Sequence, residues 1–425
     1  MSDTLLGVFE QLSQKERIAF LENLVDVCSP YELHYLNGRL LGLSQWKFDF
    51  LSSLPQEIGV KILSTLDSRD LCSCREVSTG WCKLVSNGEL WKKLCLKLSH
   101  SEVPSTGKVD WVKLYQHLYC RERNWSRGTP MYTSLLKGHR DRVYALKMKG
   151  DILVSGSYDR TVRVWNVTFG QCLNIFEANT VSCLDFIPEL GILAAGSYTR
   201  DCTVWDMNSG QLLHTLSGHV AAISCLSINQ DYLVTAGHDR FIIVWKWDTG
   251  EKVQTFCDHE QAIVGVHLKG NKILSSSKNG QLKVHDIDKR MCIYTFDLQQ
   301  PCGVFSVLDV FENNVVCTTS ATIYLLTWES GEDEHIEYKA SRVSHGYVSC
   351  VGIHEKRIVI GCQYSRSGDS ITLWNRDEEK LTNVDAKLAL PICSTQLNRE
   401  MIIAGCTDGR IYMFKFAKPI VNDSL

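Results

Sequence analysis

Two periodicities divide the chain. Up to about residue 122, apolar residues recur at helical spacing. From about residue 131 they fall in short runs of Val, Ile, Leu, Thr and Cys, separated by Gly, Asp and Asn,. In the first part, Ser13 and Glu16 make a capping-box pattern ahead of Ile18, Phe20, Leu21, Leu24 and Val25,. Ser29, Pro30 and Glu32 supply an N-cap, a first-turn proline and an N3 acid for a second helix through Leu33, Leu36 and Leu40,. Ser53, Pro55 and Gln56 repeat the device ahead of Ile58, Ile62, Leu63 and Leu66. Ser68 and Ser78 are placed to cap two short helices, and Asp110 a further one over WVKLYQHLY. Helices this short must bury their apolar stripes against neighbours or a partner.

The second part repeats. Trp165, Trp205 and Trp245 stand 40 residues apart, and His285 continues the series in GQLKVHD. Trp328, Trp374 and Phe414 complete seven units,. A fourth strand follows each unit except the seventh, and a spare strand, YTSLLKG at 132–138, precedes the first. This phase predicts a ring in which the N-terminal strand completes the last sheet and leaves no open end.

The stretch KGHRDRVYALKMKGDILVSGSYDRTVRVWN, residues 137–166, resembles the WD40 repeat, and the resemblance extends over residues 131–417. It implies a seven-bladed propeller in which a His, a strand Ser or Thr, a turn Asp and the Trp form a buried tetrad. By register these are His139, Ser155, Asp159 and Trp165 in blade one, and His219, Thr235, Asp239 and Trp245 in blade three. Imidazole, hydroxyl and indole can all donate to a buried carboxylate. The pattern decays elsewhere: Ala195 and Thr199 in blade two; Ser275, Asn279 and His285 in blade four; Ala404, Asp408 and Phe414 in blade seven. A His/Ser/Asp set also suits hydrolysis. Here the set recurs 80 residues on, with its hydroxyl on a strand, so a structural brace is expected.

Residues 51–94 resemble the F-box, through Leu54-Pro55, Glu57, Ile58, Ile62-Leu63, Leu66-Asp67, Leu71, Val77-Ser78, Trp81 and Leu90-Trp91. The resemblance implies docking on a Skp-type adaptor that bridges to a cullin scaffold. The residues expected to serve it are Leu54, Pro55, Ile58, Ile62, Leu63, Leu66, Leu71, Val77, Trp81, Leu90 and Trp91. Residues 9–50 resemble the dimerisation segment of some F-box/WD proteins, which implies a homodimer; the alternative is helices that merely pack on the F-box. NWSRG at 124–128 is similar to the family's entry into the first blade, and residues 99–130 are expected to form a helical linker. The fold class expected is therefore α plus all-β: a helical F-box module, then a closed WD40 propeller and a short tail from 418.

The residue after the turn Asp position is Arg160, Arg200 and Arg240 in blades one to three, again at a spacing of 40. Tyr158, Tyr198 and His238 precede that position, and Lys278 holds the slot in blade four. One register around a ring puts these side chains on one face. Clustered arginines with aromatic neighbours suit phosphate or carboxylate. The alternative is that Asp-Arg fills a turn and each Arg is paired or solvated. Phosphate-reading relatives also place arginines on the first strand, where this chain has Tyr144 and Ser224.

Composition adds exclusions. A net charge of −3 gives no bulk attraction to nucleic acid or to a membrane surface,. No apolar run approaches the length of a membrane span, and the N-terminus lacks the pattern of a secretory signal, so a cytoplasmic or nuclear protein is expected,. The 18 cysteines include no C-x-x-C pair, and many sit in apolar strand patterns, as small buried hydrophobes do,. No metal, cofactor or catalytic motif is expected. The function these features imply is that of a non-catalytic subunit of an SCF-type ubiquitin ligase. Its F-box would hold the adaptor, and its propeller an acidic or phosphorylated substrate segment for proteasomal degradation. A WD scaffold that does not direct ubiquitylation is the alternative.

Overall fold

In the computed structural model the described residues are 12–33, 35, 49, 51, 54–99, 109–297, 307–318, 322–329, 335–342, 347–363, 370–385 and 391–418. The chain divides into two compact units, residues 1–94 and 95–425.

In the first unit, α1 (Gln14–Val27) opens on the expected capping box: the Ser13 amide and hydroxyl both donate to Glu16, at 2.9 and 2.6 Å,. Ser29 and Glu32 repeat it at 2.8 and 2.7 Å, while Leu36 and Leu40 lie outside the described residues. These serine hydrogen bonds hold both glutamates below their usual pKa. Ser53 also lies outside the described residues. At the start of α2 (Gln56–Leu63), Pro55 occupies the N-cap position and offers no side-chain acceptor. At α3 (Ser68–Cys74) the cap is Asp67 rather than Ser68. Its carboxylate accepts from the amides of Arg69 and Asp70, both at 2.8 Å, because Asp67 has the extended backbone a cap needs while Ser68 is already helical,. Ser78 caps α4 (Thr79–Val85) at 3.2 Å. With α5 (Gly88–Leu98), these helices bury Leu51, Leu63, Leu71, Val85, Leu90 and Trp91, and the Trp91 indole donates to the Val85 carbonyl at 2.7 Å.

The second unit begins its described propeller region with α6 (Trp111–Arg127), capped by Asp110 and ended by Gly128 at a φ of 66°. A Cβ on Gly128 would fall 2.4 Å from the Asn383 carbonyl oxygen, so only glycine fits there,. Seven four-stranded antiparallel sheets follow. Blades one to six comprise residues 143–177, 181–217, 223–256, 263–297, 307–342 and 347–383. Blade seven comprises residues 392–415 together with the strand Tyr132–Leu136. That N-terminal strand pairs antiparallel with Ile411–Lys415, Tyr132 opposite Lys415 and Leu136 opposite Ile411. The ring is therefore closed by the strand that precedes its first blade, as the phase of the repeats predicts.

The first strand of six blades carries a bulge at the same place, between 143 and 145 in blade one and at the matching residues of blades two, three, four, six and seven,. In three of them the bulged residue is a serine that bonds to the next blade. Ser182 donates to the Ile223 carbonyl at 2.6 Å, Ser224 to Ile263 at 2.5 Å and Ser349 to Ile392 at 2.9 Å. Across the closure, Ser394 donates to the Val143 carbonyl at 2.9 Å. Blades also press on glycine: a Cβ on Gly156 would lie 2.4 Å from a Val181 methyl, and one on Gly405 2.9 Å from a Val143 methyl.

The linker helix is welded to the propeller. Trp125 is buried and stacks on Phe416 with ring centroids 3.8 Å apart, and its indole donates to the Arg399 carbonyl at 3.0 Å. Asn124 donates to the Phe416 carbonyl at 2.9 Å. The NWSRG motif thus carries the residues that fix α6 against blades six and seven.

Candidate functional site

The two full tetrads form as expected. In blade one, His139 Nδ1 lies 2.8 Å from Asp159 Oδ2 and Nε2 lies 2.7 Å from Ser155 Oγ. Trp165 Nε1 donates to the same hydroxyl at 2.8 Å. The network assigns a neutral imidazole: Nδ1–H donates to the carboxylate and Ser155 O–H donates to Nε2. Burial lowers the His139 pKa against the opposing pull of Asp159. Blade three repeats the arrangement, with His219 2.7 Å from Asp239 and 2.9 Å from Thr235, and Trp245 donating to Thr235 at 2.9 Å. The distances are those of a hydrolytic triad. Yet Ser155 is fully buried, and its oxygen already receives the indole, so the hydroxyl faces no substrate,.

In blade four the sequence reading found Ser275, Asn279 and His285 but passed over His259. That residue stands 40 after His219, in a DH rather than a GH pair, and its Nε2 lies 2.7 Å from Ser275 Oγ. Its 40-residue register was the signal that could have found it. His285 fills the tryptophan position, fully buried, 3.2 Å from Asp258. Asn279 bonds to Ser277 and the Gln281 amide rather than to the histidine. In blade seven Ala404 and Phe414 are both buried, so the hydroxyl and the indole have gone together and neither leaves a partner unpaired,.

The turns between second and third strands lie at one end of the ring. There Arg160, Arg200 and Arg240 are exposed, with φ of 65°, 82° and 71°. At the same register blades four and seven have glycine, Gly280 and Gly409, at 87° and 84°. A side chain in this left-handed region costs roughly 1 kcal/mol relative to glycine. Three blades bear that cost with arginine. Asp201, the acid beside Arg200, is engaged by Ser217 at 2.7 Å. Among the described residues none of the three guanidiniums has an ion-pair partner.

Two residues before Arg160 and Arg200, Tyr158 and Tyr198 belong to an aromatic cluster on blades one and two. Tyr158 sits 4.5 Å from Tyr144 and 5.3 Å from Tyr198, centroid to centroid, the second pair edge to face,. Burial, with the neighbouring hydroxyls of Tyr198 and Tyr144, pushes the Tyr158 phenol up. Tyr144 therefore serves the cluster, and Ser224 bonds to blade four; neither is a charged clamp. The cation at this mouth that sequence reasoning missed is Arg142, exposed and 3.4 Å from the Tyr144 hydroxyl. His238 is exposed and Lys278 half-buried, each at the expected register in blades three and four. In blade seven Arg410 is paired with Asp408 at 3.1 Å.

In the first unit the expected adaptor residues separate into two groups. Ile58 (48% exposed), Ile62 (40%) and Val77 (61%) present apolar surface, and Pro55 is exposed beside them. Ile58 and Ile62 are four apart and share one face of α2. Leu54, Leu66 and Trp81 are half-buried, and the Trp81 indole donates to Asp49 at 2.5 Å. Leu63, Leu71, Leu90 and Trp91 are buried, which corrects their placement as contact residues: their side chains are spent on the unit's own core,.

Burial pushes the Cys183 and Cys350 thiols up to about 12, which leaves these two as packing groups rather than nucleophiles,.

Residues 51–97 match the family model described as F-box-like. Residues 128–166, 170–206 and 210–246 match that of the WD domain, G-beta repeat. Over 189 residues the chain is 30% identical to F-box/WD repeat-containing protein 7 of Drosophila melanogaster, covering 41% of this chain and 14% of the relative. Over 186 residues it is 31% identical to F-box/WD repeat-containing protein 2 of Homo sapiens, covering 43% of this chain and 40% of the relative. It is 29% identical over 201 residues to the probable E3 ubiquitin ligase complex SCF subunit sconB of Arthroderma benhamiae, covering 39% of this chain and 30% of the relative. The chain thus spans less than half the length of the curated relatives it matches. The crystal structure of RRP9 WD40 repeats superposes with a TM-score of 0.57 at 18% identity, over 67% of this chain and 97% of that one, which shows the fold alone. The chain carries both domain types, an F-box-like segment followed by WD repeats, after which its F-box/WD repeat-containing relatives are named.

Proposed function

We propose that the chain is the substrate-recognition subunit of an SCF-type ubiquitin ligase, itself non-catalytic, acting in the cytoplasm or nucleus. The observation that carries this reading is the pair of unsatisfied surfaces. The F-box-like unit leaves Ile58, Ile62 and Val77 exposed, and the propeller holds three arginines without an ion-pair partner among the described residues, in a conformation glycine would adopt more cheaply,. The apolar face suits a helical adaptor that bridges to a cullin. The arginine and tyrosine rim suits an acidic or phosphorylated segment of a substrate, which a guanidinium fork binds through paired hydrogen bonds. Exposed Ile18, Phe20 and Leu21 on α1 suit a homodimer contact.

The test is capture of a substrate at constant adaptor occupancy. Arg160→Ala, Arg200→Ala and Arg240→Ala together should abolish capture while the adaptor still co-purifies. Undiminished capture would reduce the arginines to turn residues. Phosphatase treatment of the captured protein before rebinding separates phosphate from carboxylate recognition.

A further inference from the structure

A groove between α6 and blade six, of about 340 Å³, carries charge out of keeping with a chain of net charge −3. Its charged lining residues are Lys97, Arg123, Lys356, Arg357 and Lys380, against Glu122 and Glu378. Five cations face two carboxylates, a surplus of three positive charges. The adjoining Glu355 adds no compensation, since it pairs with Arg399 at 2.5 Å. Asp377 and Glu379, in the same turn as Glu378, do not line the groove.

Glu122 is shared three ways. It lies 2.5 Å from Arg357, 3.4 Å from Arg121 and 3.7 Å from Lys356. Burial alone would raise its pKa, but Arg357, Lys356 and Arg121 together hold it below the usual range. One carboxylate cannot neutralise both Arg357 and Lys356. Arg357 is also rigid: it is buried, and its guanidinium lies 4.6 Å over the Trp125 ring,. Arg123 and Lys380 are exposed at the edges of the groove.

We propose that this groove binds a small anion bearing phosphate groups. A fixed guanidinium with ammonium groups beside it matches phosphate oxygens, and the volume is that of a small-ligand cleft. The phosphate could arrive on a soluble oligophosphate or on a phosphorylated side chain of a partner. The proposal is independent of the rim.

Isothermal titration of the full chain with tripolyphosphate tests it, at low and at physiological ionic strength. One-site binding is expected, weaker at higher salt, and weakened at least about tenfold by Arg123→Gln with Lys380→Gln, two exposed positions whose loss should leave the melting temperature unchanged. The Arg160→Ala, Arg200→Ala, Arg240→Ala variant should bind as the parent does. A doubly phosphorylated peptide titrated in parallel distinguishes the sources: competition with tripolyphosphate adds a protein-borne phosphate, and its absence assigns the groove to a soluble one. No tripolyphosphate binding, or binding that the rim variant loses and the groove variant keeps, overturns the proposal.

Discussion

His139 Nε2 and Ser155 Oγ are 2.7 Å apart inside blade one, and the same oxygen receives the Trp165 indole. A single hydroxyl therefore satisfies two buried nitrogens. Ser155→Ala leaves both unpaired and should cost about 1–3 kcal/mol of stability. The urea midpoint of the propeller transition reads this directly. An unchanged midpoint would remove the tetrad from the account of stability.

The histidines of blade four set an acid limit. Burial depresses His259 to about 3 and His285 to about 4, with Lys283 adding to both and Asp258 opposing at His285. Both are neutral when folded and protonate near their ordinary 6.5 when unfolded. The stability they preserve is complete above pH 6.5 and is lost as pH falls toward 4, at up to about 1.4 kcal/mol per pH unit for each. Chemical denaturation at pH 7.5, 6 and 5 should show this slope. His285→Trp, which restores the residue of blades one to three, should flatten it.

The rim arginines should show function at the expense of stability. Replacing Arg160, Arg200 and Arg240 by glycine relieves three left-handed side chains at the conformation Gly280 and Gly409 already hold. The melting temperature should stay level or rise while substrate capture falls. A marked drop in melting temperature would mean that the arginines are structural after all.

The linker weld should be costly to break. Trp125 fills a buried site against Phe416, so Trp125→Ala should destabilise the propeller by about 3–5 kcal/mol,. Equilibrium denaturation followed by far-UV circular dichroism measures it; a loss below about 1 kcal/mol would show that α6 is only loosely attached.

Much of this was legible in the sequence because it is periodic. The 40-residue spacing located the blades, and the unmatched strand at 132–138 located the closure. His259 was missed because its neighbour is Asp258 and not glycine, although the register pointed to it. The left-handed turn could have been read from Gly280 and Gly409, which mark what the backbone requires where arginine hides it. The division of the F-box-like residues was not legible. Leu63 and Ile62 are adjacent and equally apolar, and only the packing of neighbouring helices decides which is covered. Nor was the cationic groove, since Glu122 and Arg357 lie 235 residues apart and meet only once the ring has closed.

The central claim rests most directly on adaptor binding. The measurement is the affinity of the full chain for a Skp-type adaptor, compared with the Ile58→Asp, Ile62→Asp variant, by titration calorimetry. Both positions are exposed, so the variant should keep its helical content and fold. The account predicts tight binding by the parent and loss of at least about a hundredfold, 2.7 kcal/mol, in the variant. Equal affinity of the two proteins, or no binding by the parent, would contradict it.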